Sequence, residues 1–107
     1  MRRTLFTLAI LAGLHAPALA LTQNDLTSDE RQAYQAVQAD PTAARNFLAT
    51  RDYMRKAKAV VGGSLAASQL PAKPKGFNSR YLLAGDEDII DQAVTLSVAA
   101  MAQTLWT

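Results

Sequence analysis

Residues 40–63 read DPTAARNFLATRDYMRKAKAVVGG, and this stretch decides the fold class. Asp40 ahead of Pro41 is a helix start. The carboxylate can accept from the free amides of the first turn, and proline fits the first helical position because its missing N–H has no partner there. Phe47, Leu48, Met54, Ala57, Val60 and Val61 then recur at steps of three and four, which draws one broad apolar stripe along a helix. Asp52 and Lys56 stand four apart with the acid first, a pairing that adds a few tenths of a kcal/mol. Gly62-Gly63 supplies the left-handed backbone of a carboxyl-terminal cap. The pattern predicts a helix from Pro41 to about Val61.

Upstream, Thr27-Ser28-Asp29-Glu30 has the spacing of a capping box and predicts a helix over 28–39. Ala33 and Val37 fall on its inner face and Tyr34 at the edge. Downstream, Ser64 to Leu70 allows a short helical piece, and Pro71-Ala72-Lys73-Pro74-Lys75-Gly76 reads as an extended basic loop. Asn78 or Ser79 opens a short turn through Leu83. Gly85 and Asp86 start a last helix reaching about Leu105, with acids in its first turn where the helix dipole favours them.

In that last helix Ile90, Val94, Val98, Met101 and Leu105 form a central stripe, flanked by Ile89, Ala93, Leu96 and Ala100. The apolar arc is wide for a helix with one wet face. Two readings stand: the central helix of the monomer, or a face in contact with another subunit or partner. Strand alternation, internal repeats and low-complexity tracts are missing from the sequence. The expected architecture is all-α, a small bundle of three main helices with one or two short helical pieces.

The amino terminus reads differently. Met1-Arg2-Arg3 is a positive start, Leu5 to Leu14 an apolar run, Pro17 a break, and Ala18-Leu19-Ala20 a small-x-small cleavage site. The expectation is an export signal over 1–20, cut between the site residues Ala18 and Ala20 and the rest, and a single small helical domain over 21–107. General secretion to a bacterial periplasm is the simplest route. The apolar run is short for a bilayer span, and so is the uncharged end of the last helix, since about 20 apolar residues are needed.

Charge follows from this division. Eleven basic and nine acidic side chains give +2, but Arg2 and Arg3 belong to the leader, so the remainder is balanced. Global charge therefore gives no strong nucleic-acid signal. The charges run in blocks: acidic up to Asp40, basic from Arg45 to Arg80, acidic again from Asp86. With no cysteine, and with its one histidine, His15, in the leader, the expected domain lacks disulfides, thiol or imidazole nucleophiles and ordinary zinc or haem ligation. No cofactor is expected. Glu30 and Glu87 sit where helix starts want acids, Ser64 has no evident base, and no phosphate-binding glycine loop is present, so an enzyme is not expected.

Three surfaces remain as candidates. Arg51, Arg55 and Lys58 share one side of the second helix with Lys56 adjacent, a stripe suited to phosphates, lipid headgroups or an acidic partner, or else one that pairs with the acidic blocks. Lys73 and Lys75 with Phe77 make the basic loop a docking segment, or a connector pinned by burying Phe77. Ile90, Val94, Val98, Met101 and Leu105 form the third. The functional expectation is an exported interaction or accessory module that works by contact, such as a part of an envelope secretion or conjugation apparatus. The alternatives are an immunity or inhibitor protein against an exported toxin, and a membrane-surface or polyanion binder using the basic face. A protein partner is expected, and a homo-oligomer is open.

Overall fold

The computed structural model describes residues 21–106. The expected export signal and its expected cleavage residues, Ala18 and Ala20, lie outside them. The described residues form an all-α fold with no strand: helix α1 over Ser28–Gln35, α2 over Pro41–Val61 and α3 over Asp86–Trp106. Short 3-10 turns at Gln23–Asp25, Ala67–Gln69 and Ser79–Tyr81 accompany them.

The ends of the helices follow their capping chemistry. Thr27 Oγ1 accepts from the Glu30 amide at 3.3 Å while the Glu30 carboxylate accepts from the Thr27 amide at 2.9 Å, closing the capping box of α1. Asp40 has an extended backbone, and its Oδ1 accepts from the amides of Thr42 and Ala43. α2 ends at Gly62, after which Gly63 takes φ +86°, a conformation that side-chain-bearing residues rarely adopt. Asn78 caps the turn at Ser79–Tyr81 through the Arg80 amide.

One boundary differs from the sequence expectation. α1 stops at Gln35 and not at residue 39, and three short backbone bonds follow: Ala36 to Ala33, Val37 to Tyr34 and Asp40 to Val37. Asp40 must leave the helical region to cap α2, so the chain unwinds before it. The short piece expected over 64–70 is reduced to the turn at Ala67–Gln69.

α2 is the spine of the molecule. Tyr53, Met54, Ala57 and Val60 form the core with Ile90 and Ala93 of α3, and Leu65, Leu70, Phe77, Leu82 and Ile89 close around it. Towards the start of α2, Phe47 is buried between the rings of Tyr34 and Tyr81, each with its centroid 5.6 Å away. Leu26 is buried as well, ahead of α1. Of the expected stripe, Leu48 is only half-buried and Val61 lies at the exposed edge.

The segment between α2 and α3 is sewn to α2 by a polar stitch. Thr50, fully buried, donates to the Asn46 carbonyl at 2.8 Å and accepts from the Asn78 amide at 2.9 Å. Here the loop approaches so closely that a Cβ on Gly76 would stand 2.9 Å from Asn46 Oδ1 and 3.3 Å from the Ala49 Cβ.

Candidate functional site

The proposed basic stripe is the largest correction. Arg51 is not on the surface: it is 1 % exposed and sits between two helix-start carboxylates, Glu30 of α1 and Asp86 of α3. Its Nε donates to Glu30 Oε2 at 2.8 Å, and its Nη1 donates to Asp86 Oδ2 at 2.6 Å and to the Tyr81 carbonyl at 3.2 Å. The physical reason lies in the stripe of α2 itself. Arg51 is four residues after Phe47 and three before Met54, so the helix aims it at the core, where a guanidinium is stable only if paired.

The neighbours of Arg51 are also engaged. Arg55 ion-pairs with Glu30 Oε1 and donates to the Asp25 carbonyl at 3.0 Å. Lys58, on the exposed side, comes to 4.0 Å from Asp86 Oδ1. Lys56 pairs with Asp52 at 2.8 Å, as their spacing predicts. Three cations of the basic middle block, Arg51, Arg55 and Lys58, thus meet acids of the outer ones. Arg51 is withdrawn from the expected face by burial, and Arg55, Lys56 and Lys58, though partly exposed, each face a carboxylate of their own chain.

Glu30 shows the electrostatic consequence. Burial acts on it most strongly and would raise its pKa. The Thr27 amide, Arg51 and Arg55 together override that cost and hold the carboxyl at about 2, well below the ordinary 4.5. Asp86 is similarly busy, since its Oδ2 also accepts from the Leu83 amide at 2.8 Å. Each carboxylate serves both a chain turn and Arg51, and the three side chains tie α1, α2 and the start of α3 into one junction.

The basic loop is pinned. Phe77 packs edge-to-face with Tyr53 with centroids 5.4 Å apart, and Lys73 Nζ lies 5.0 Å from the Phe77 ring centroid. Phe77 is half-buried and anchors the connector, while Lys73 and Lys75 stay exposed. Lys75 joins Arg45, Leu48, Asp52, Gly76 and Leu21 along an open groove of about 610 Å³ between the loop and α2. The groove holds two cations and one acid already paired with Lys56, so no concentrated charge of either sign develops there.

The third candidate divides in two. Ile90 belongs to the core at 9 % exposure, and Ala93 beside it is fully buried. Beyond them exposure climbs along the helix: Val94 40 %, Val98 58 %, Met101 61 %, Leu105 84 %. Ser97 and Ala100, on the side continuing from Ala93, are half-buried, so the small residues face the body and the large ones face out. Leu96 adds a further exposed side chain on the other flank. Exposed large apolar side chains are ordinary when scattered; four in one register on one helix are a patch.

The described residues contain no group of three or more His, Cys, Asp and Glu side chains able to hold a metal ion. The buried carboxylates are occupied by arginines and do not open into a pocket with a second acid. None of the described helices is long and apolar enough to cross a membrane. No family model, curated protein or solved structure matches this chain.

Proposed function

We propose that this chain is an exported protein of the bacterial periplasm that works by contact, as an accessory or binding module of an envelope apparatus, and that the outer stripe of α3 is its contact surface. The observation that carries this reading is the rise in exposure from Val94 to Leu105 on a helix whose first half is locked into the core. Covering a large aliphatic side chain is worth about 1.5–3 kcal/mol. A folded protein that leaves four of them in line on a rigid helix holds that free energy in reserve for association. The partner is a protein offering an apolar, uncharged helix or groove, because the last sixteen residues, Gln92 to Thr107, contain no ionisable side chain. The amino-terminal pattern of Met1 to Ala20 supports export, and the missing thiol and imidazole chemistry supports binding over catalysis.

Crosslinking in intact cells, followed by fractionation and identification of the captured proteins, tests this. The expected result is recovery of the processed chain in the periplasm with a defined envelope protein attached, and loss of that adduct in Val98→Asp. Recovery in the cytoplasm, or turnover of a substrate by the purified chain, contradicts the reading.

A further inference from the structure

We infer that the outer stripe of α3 is covered by the same stripe of a second copy of this chain, with the two helices antiparallel. The inference rests on the contact reading above and gives it a first partner. Val94, Val98, Met101 and Leu105 are spaced four, three and four, the repeat with which one helix packs along another. An uncharged stripe meets its own copy without like-charge repulsion, and self-association of one patch about a two-fold axis needs no further surface.

Charge chooses the direction. Extending the repeat back towards the start of α3 gives Asp91, three before Val94, and Glu87, four before that; both are exposed. In a parallel pair each of these acids would face its own copy across the seam. In an antiparallel pair Val94 lies opposite Leu105 and Val98 opposite Met101, while the acids of each chain fall beyond the seam. The helix dipoles are then opposed, which favours the pair further. The two cores, each packed mainly on the first half of its α3, then stand at opposite ends of the contact.

Size sets the strength. Covering Val94, Val98, Met101 and Leu105 on two chains removes somewhat less than about 1,000 Å² of surface, below the standard size of specific protein contacts. The dimer is therefore weak and concentration-dependent. A membrane surface fits the stripe less well, because α3 carries no lysine or arginine to meet lipid headgroups.

Sedimentation equilibrium of the purified protein, from low micromolar to millimolar concentration, should show a monomer–dimer equilibrium. Val98→Asp and, separately, Met101→Ser should each weaken it by at least about tenfold with unchanged helical circular dichroism. Because the protein has no cysteine, direction can be read from disulfides. Val94→Cys mixed with Leu105→Cys should form the mixed disulfide faster than either forms its own. A wild-type protein that stays monomeric throughout, or a dimer indifferent to both substitutions, overturns the second copy. Faster formation of the like-with-like disulfides overturns the antiparallel arrangement. The parent reading fails separately: a monomer that still captures an envelope protein through Val98 removes only the dimer, whereas a dimer that captures nothing in cells removes only the envelope contact.

Discussion

The two halves of α3 treat water in opposite ways. Its first turn buries Asp86, a charged side chain, at 2 % exposure, while its last turns leave Leu105 at 84 %. Charge is inside and hydrocarbon outside, the reverse of the usual arrangement. The difference separates two tasks. The ionic junction of Glu30, Arg51 and Asp86 fixes how three helices meet, and the outer stripe contributes little to holding the chain folded. Stability is concentrated at one end of the helix, and the surface proposed for association lies at the other.

The comparison breaks most visibly at Arg51. Replacing it with Met leaves Glu30 without its Nε donor and Asp86 without its closest one, in a site sealed from water. Removing one member of a buried ion pair costs about 3–5 kcal/mol, a large share of the stability of so small a domain. Urea denaturation of Arg51→Met is expected to show that loss or a chain already unfolded in buffer. A loss below about 1 kcal/mol would mean that the junction is ornamental.

Acid probes the same end more gently. Because Glu30 is held at about 2 when folded against 4.5 ordinarily, it stabilises the fold in full above its unfolded pKa. That contribution drains as pH falls from 4.5 towards 2, by on the order of 3 kcal/mol. Urea midpoints should fall across this window in the wild type, and Glu30→Gln should be less stable at neutral pH with a flatter acid limb.

A smaller effect is expected where the loop meets α2. Gly76→Ala places a methyl against Asn46 Oδ1 and the Ala49 Cβ, and thermal denaturation should register about 1 kcal/mol of overpacking. The Asn46 side chain can swing away but the Ala49 methyl cannot, so the double change Gly76→Ala with Asn46→Ala should recover part of the loss. The smallest effect belongs to the other end of the comparison. Leu105→Ser should alter the unfolding free energy of the dilute protein by no more than about 0.5 kcal/mol, although it removes a large apolar side chain.

What the sequence revealed was punctuation and period. Asp40-Pro41 and Gly62-Gly63 delimit α2, and Thr27 with Glu30 announces α1, because capping is local chemistry between neighbours. The end of α1 was less legible: residues 36–39 carry no helix stop, and the break comes from what Asp40 must do next. The junction was least legible. Arg51 reads as one of a row of surface cations when only spacing along the row is considered, and its partners lie 21 and 35 residues away. One local signal was present, since Arg51 fills the gap in the apolar stripe between Phe47 and Met54. A charge at a core position implies buried counter-charges, and helix-start acids are the natural source. The divided role of α3 had no such signal, because its stripe runs unbroken from Ile90 to Leu105 and only the packed structure shows where cover ends.

A photocrosslinking scan along α3 in living cells tests the central claim most directly. Probes placed one at a time at Val94, Val98, Met101 and Leu105 should yield adducts, while probes at Gln92 and Gln103, on the far side of the same helix, should not. Equal yields from both sides, or adducts only from the second set, would show that the exposed stripe is not the surface through which this protein works.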